Sequence, residues 1–282
     1  MALTEVIKEL LESGVHFGHL SKHWNPKMKK FIFGKKKNIY IIDLEKTAEK
    51  LEEAKEYAKK VIQRGEKILF VATKKQLRDL IREQASSCNM PYVVERWVGG
   101  LLTNYTTIRS RIKRYATLLE KRENGDFDKM SRKEVTRLNR EIERMEKIYS
   151  GLKNFDKLPA CIFVVDPKRE VACVKEANRL SIPIIALIDT DADPEVIDYP
   201  VPGNDDAIKS VRYITSLLVG AIKEEAQKAA DLIKEAAAAK ALEEEAGDSD
   251  VEKYEALDEN LAADKDKKPL PKKRQSSKEA QK

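Results

Sequence analysis

The chain has 282 residues, of which 36% are charged and 41% hydrophobic, with a formal net charge of +6. That length carries one full core plus appendages, and the charge exceeds the roughly 25% of an average domain. No run approaches the ~18 apolar residues of a membrane span, and the opening MALTEVIKELLESG is amphipathic and acidic, unlike a signal peptide, so a cytoplasmic location is expected.

Leu3, Val6, Ile7, Leu10 and Leu11 recur at helical spacing up to Gly14. A loop rich in Gly, Lys and aromatics follows. Asn38 to Ile42 then reads as a short strand, and Asp43 caps a helix with its buried stripe at Leu44, Thr47, Leu51, Ala54, Ala58 and Val61/Ile62. Lys67 to Ala72 is apolar on both faces, as in a central parallel strand. A helix over about 74–87 and a short strand at Tyr92 to Val94 come next.

Tyr105, Ile108, Ile112, Tyr115 and Leu119 fall at spacings of 3, 4, 3 and 4, and so do Val135, Leu138, Ile142, Met145 and Tyr149. Ser131 and Glu134 form a capping box at the second start. Two narrow apolar seams joined by a turn predict an antiparallel coiled-coil hairpin that projects as an arm.

Beyond it, Cys161 to Asp166 and Ile184 to Asp189 read as core strands, with a helix over about 168–180 between them. A last strand near 199–201 precedes a helix from about Asp205. The expectation is an α/β fold, a Rossmann-like doubly wound parallel sheet flanked by helices. The globular domain takes 1–102 and 153–228, the hairpin insertion 103–152, and an Ala/Glu/Lys-rich helix and then a disordered charged tail 229–282.

Charge is segregated along the chain. Residues 223–264 carry fourteen acids against five bases, and 265–282 eight bases against two acids, which leaves +9 on residues 1–222. A basic globular body invites a polyanionic partner. Cys88, Cys161 and Cys173 are odd in number and lack CxxC spacing, so buried, reduced thiols are expected rather than a disulfide framework or a thiolate metal site.

A doubly wound sheet raises the alternative of a Rossmann-type nucleotide-binding enzyme. Thr73-Lys74-Lys75-Gln76 follows the first core strand without the glycines of a phosphate loop, and neither GxGxxG nor GxxxxGK[ST] occurs. Asp166 and Asp189 end core strands and read as caps rather than catalytic groups. Asp189, Asp191 and Asp193 alternate without completing a calcium loop. The three histidines, His16, His19 and His23, could be zinc ligands with a nearby Asp, or phosphate and base contacts; no metal or other cofactor is assigned.

The strongest chemical signal is 22–37, with Lys22, Lys27, Lys29, Lys30, Lys35, Lys36 and Lys37, no acid, and Trp24, Phe31 and Phe33 interleaved. Cations neutralise phosphates and aromatic faces stack on exposed bases, so the mixture suits RNA. The opposing possibility is a solvated loop with its aromatics in the core. Arg109, Arg111, Lys113 and Arg114 form a second basic cluster, just after Arg96-Trp97.

The motifs Gly14-Val15-His16-Phe17-Gly18-His19, Trp24-Asn25-Pro26-Lys27-Met28, Arg96-Trp97 with Gly99-Gly100-Leu101-Leu102-Thr103-Asn104, and Pro202-Gly203-Asn204-Asp205-Asp206-Ala207-Ile208 stand in order along the chain. In these the chain resembles the S-two family of small-subunit ribosomal proteins, in its bacterial and organellar form. The resemblance implies a structural, non-enzymatic protein of the 30S subunit, bound to small-subunit ribosomal RNA between head and body. It also implies neighbouring small-subunit ribosomal proteins, among them the mRNA-binding protein S-one, which the family helps to anchor. By the same resemblance the residues expected to face RNA are His16, His19, Trp24, Asn25, Lys27, Lys29, Lys30, Arg96, Trp97, Thr103, Asn104 and Arg109. Lys35, Lys36, Lys37 and Arg111 join them from the basic clusters.

Overall fold

The computed structural model describes residues 3–153 and 155–231. The predicted tail beyond residue 231 lies outside the described residues. By its internal contacts the chain divides into one unit over Met1–Gln227 and another over Lys228–Lys282; the fold described below is that of the first.

Five parallel strands form the main sheet: β4 (Ile68–Val71), β5 (Tyr92–Val93), β6 (Cys161–Val165), β7 (Ile184–Ile188) and β8 (Tyr199–Pro202), in the order β5-β4-β6-β7-β8. β4, β6 and β7 are buried throughout, which requires cover on both faces. Alternate residues divide between two cores. Ile68, Phe70, Cys161, Phe163, Ile185, Leu187 and Val201 meet α2 (Leu44–Gln63), α3 (Arg78–Ser87) and the helical residues 208–227, here α7. Leu69, Val71, Ile162, Val164, Ile184, Ala186 and Ile188 face α6 (Val171–Arg179) and the segment Trp97 to Leu102. β8 contains Pro200 and Pro202, which only an edge strand accommodates without losing a ladder bond.

The hairpin helices are α4 (Tyr105–Glu123) and α5 (Arg132–Tyr149), with the Ser131–Glu134 capping box formed. Ile108, Ile112, Tyr115 and Leu118 are buried against Ile142 and Tyr149, while Val135, Leu138 and Met145 are partly buried. The seam does not close on itself alone. Its residues belong to the same apolar cluster as one sheet face, through Leu152, Phe155 and Trp97, so the base of the hairpin serves as sheet cover where a further crossover helix would otherwise lie.

The segment after α1 (Leu3–Glu12) is more ordered than a loop. β1 (Phe17–Leu20), β2 (Ile32–Lys36) and β3 (Ile39–Ile42) make a separate antiparallel sheet in the order β1-β3-β2. Lys37 and Asn38 both have positive φ, the conformation of a two-residue type I′ hairpin turn. The usual Asn-Gly signature is absent there, so the turn is hidden in the sequence. Pro26–Phe31 is a short 3-10 helix capped by the Asn25 side chain.

Candidate nucleic-acid interface

The order of the strands reverses between β5-β4 and β6, and in such sheets ligands enter the crevice beyond the carboxyl ends of the two strands at the reversal. Here the chain itself fills that place. Lys74, just after β4, lies 2.9 Å from Asp166 after β6, 2.8 Å from Asp205 and 2.9 Å from Asp206. Beside it Glu170 accepts from the Thr73 amide at 3.1 Å, and Arg169 Nε donates to the Thr73 hydroxyl at 3.1 Å. Burial and the neighbouring Asp166 push the Asp205 carboxyl up to about 7. Burial works against the Lys74 charge, but Asp205 and its neighbours outweigh it and hold its pKa above the ordinary lysine value. Asp166, Glu170, Asp205 and Asp206 crowd around Lys74 and Arg169, which leaves no open cationic cradle for a phosphate.

His19 joins this cluster from β1. Its Nδ1 is 2.9 Å from Asp189 Oδ2 and its Nε2 3.6 Å from Asp206, while its amide donates to the Thr190 hydroxyl at 2.9 Å. The Asp189 contact raises the imidazole pKa to about 9 against the opposing effect of burial. Gly18 makes this approach possible, since a Cβ there would run into the Thr190 side chain. The histidines therefore do not act as one set. His19 lies with Asp205 and Asp206, whose carboxylates already face Lys74 and the imidazole itself; His23 is exposed, and His16 is half-buried with its pKa lowered by desolvation.

Asp166 accepts from the Arg169 amide three residues on, the capping role expected of it, whereas Asp189 meets only the adjacent Thr190 amide and turns to His19. Each alternating aspartate faces a cation: Asp189 faces His19, Asp191 faces Lys168 at 2.9 Å, and Asp193 faces Lys27 at 2.8 Å.

The RNA-facing candidates separate by environment. Lys27 is held by Asp193 and Glu195, and Asn25 accepts from the Lys27 amide while its own amide donates to Thr190 O at 2.8 Å. Trp24 is half-buried against Tyr40, ring centroids 4.9 Å apart. Trp97 is only 8% exposed. Its indole N–H donates to Glu176 at 3.0 Å, and the same carboxylate accepts from the amides of Gly100, Leu102 and Thr103 and from the Thr103 hydroxyl. Burial opposes that charge, but the converging donors hold the Glu176 pKa below its usual value. Gly100 takes φ +85° in this turn, a conformation that glycine adopts without strain.

Lys29, Lys30, Lys35, Lys36, Lys37, Arg96, Asn104, Arg109 and Arg111 are exposed. Phe31 is buried, whereas Phe33 on β2 is 80% exposed, so the aromatics of 22–37 divide between core and surface. Met28 and Phe31 share one buried cluster with Trp97, Leu101, Leu102 and Ile108, which joins the two basic segments through a common core. Lys74, Glu170, Glu176, Asp205 and Asp206 were not anticipated as interacting residues. Asp205 and Asp206 stand in a recognised motif, but no spacing in the sequence links Lys74 or Glu176 to their partners.

The three cysteines are free, Cys161 and Cys173 buried and Cys88 half-buried. Desolvation raises all three thiol pKa values, Cys88 to about 11 and Cys161 to about 12.

Fold and site together define an α/β protein with a filled nucleotide crevice and an exposed basic surface beside it. The family model described as Ribosomal protein S2 matches residues 10–225. A small ribosomal subunit protein uS2 of Dictyoglomus thermophilum is 53% identical over 230 residues, 80% of this chain and 94% of that protein. The uS2 of Coprothermobacter proteolyticus is 46% identical over 253 residues, 90% of this chain and 92% of its own length. The chain belongs to the ribosomal protein S2 family.

Proposed function

We propose that the chain is a structural constituent of the small ribosomal subunit that binds small-subunit ribosomal RNA and performs no catalysis. The observation that carries the reading is the exposed set Lys29, Lys30, Lys35, Lys36 and Lys37 with Phe33 on a module packed into the same core as Trp97 and Ile108. Phosphates take the cations and an unstacked base takes the Phe33 ring. His19, Asn25, Lys27, Trp97 and Thr103, each tied to a protein partner, hold this surface in shape. Arg96, Asn104, Arg109 and Arg111 extend it toward the hairpin.

In this reading 1–102 and 153–228 form the docked body between head and body of the subunit, and 103–152 is a coiled-coil arm. Anchoring of S-one is carried over from the family resemblance. The alternative, an enzyme acting on a nucleotide, has against it the missing phosphate loop and the Lys74-centred ion cluster in the crevice. The test is sedimentation of the full-length protein with lysate ribosomes. Wild type is expected to co-migrate with 30S particles in moderate salt, and a variant with Lys29, Lys30 and Lys35 changed to Glu to be depleted from them. Equal incorporation of both would refute this surface as the RNA contact.

A further inference from the structure

The outward face of α5 carries a second basic feature that the lysine and aromatic surface does not explain. Lys133, Arg137, Arg140 and Arg144 are all exposed and follow one another at steps of four, three and four residues. At about 100° per residue they form one stripe, roughly 150° around the helix from the Leu138, Ile142 and Tyr149 seam, and about 16 Å long. Three acids, Glu134, Glu141 and the exposed Glu143, flank this face at about 70–90° from the stripe, and two of them already have a partner. Glu134 bonds to Ser131 in the capping box, and Glu141 accepts from Arg114 Nε at 2.9 Å. Among the described residues Arg137, Arg140 and Arg144 make no ion pair.

We infer that this stripe is a docking rail for the phosphate backbone of an RNA duplex. The inference rests on the RNA-binding reading above and adds a second partner surface of different chemistry. The stripe has no aromatic or apolar member to stack on a base, so it fits paired RNA, whose bases are out of reach and whose phosphates are not. Guanidinium groups suit it, because their planar fork engages a phosphate through two donors. A regular helix face holds the charges at fixed separation without further ordering. The exposed Phe33 beside Lys35 and Lys36 fits unpaired nucleotides instead.

Two RNA probes separate the surfaces in the full-length protein: a perfectly paired hairpin and an unstructured single strand. In Arg137→Gln/Arg140→Gln/Arg144→Gln, hairpin affinity is expected to fall, and the slope of log affinity against log salt to decrease by about three. Single-strand binding should stay at the wild-type value, and the triple Arg→Lys variant should keep most of the salt slope. In Lys35→Gln/Lys36→Gln/Lys37→Gln the pattern should reverse. Wild-type hairpin affinity and slope in the arginine variant would overturn the rail. So would a loss of polyglutamate binding with RNA binding intact, which would assign the stripe to an acidic protein. Unchanged binding of both probes by the lysine variant would instead refute the earlier reading and leave the rail standing.

Discussion

Replacing Glu176 by Gln tests whether one carboxylate holds the turn that leads into the hairpin. Its Oε1 accepts from the Trp97 indole at 3.0 Å and the Gly100 amide at 2.8 Å, and its Oε2 from the amides of Leu102 and Thr103 at 3.1 and 3.2 Å. An amide keeps the shape but offers one acceptor oxygen, and its NH2 would face two donors. With the oxygen toward Trp97 and Gly100, the Leu102 and Thr103 amides lose their acceptor, and the charge assistance of the remaining bonds is lost too. At about 1–3 kcal/mol per orphaned donor, reduced by partial solvation, the cost is about 2–4 kcal/mol. Denaturant unfolding at pH 7 measures it, and hydrogen exchange at Gly100, Leu102 and Thr103 localises it. The pH dependence gives an independent check. A carboxyl with its folded pKa depressed below 4.5 contributes stability that is present above that value and lost as pH falls through the folded pKa. The gap between wild type and Glu176→Gln should therefore close in acid. A variant within about 0.5 kcal/mol of wild type at pH 7, with unchanged exchange at those amides, would refute the reasoning.

Lys74→Met should cost about 3–5 kcal/mol at pH 8, because Asp166, Asp205 and Asp206 are left facing one another without their cation; denaturant titrations should show a smaller cost at pH 5, where Asp205, raised to about 7, takes up a proton. His19, raised from 6.5 to about 9, contributes stability that is complete below 6.5 and lost as pH rises through 9. The wild-type advantage over His19→Gln should thus shrink by about 2 kcal/mol between pH 6 and 10, allowing for partial solvent exposure of the ring, as read by paired thermal melts. Gly151→Ala should destabilise by about 2 kcal/mol or more, because a Cβ there would overlap the Tyr92 carbonyl and ring where the hairpin rejoins the sheet; a melt within 1 °C of wild type would contradict it.

Features that depend on local periodicity are legible in the amino-acid order. Lys67 to Ala72 and Cys161 to Asp166 are continuously apolar because both of their faces are covered, and the paired 3-4 spacings of α4 and α5 mark narrow seams. Ser131 with Glu134 and Asp43 before Leu44 act within one helical turn, so their caps were legible residue by residue. Contacts between residues far apart along the chain emerge only on folding. Lys74 meets Asp205 across 131 residues and His19 meets Thr190 across 171, and no spacing rule encodes such pairs. The same holds for exposure. Lys27 and Lys29 look alike in sequence, but only Lys27 lies within reach of Asp193 and Glu195. Trp97 and Phe33 are both aromatics among basic residues. Folding turns the one onto Glu176 and the other to solvent, because burial and pairing belong to the packed chain and not to any short segment of it.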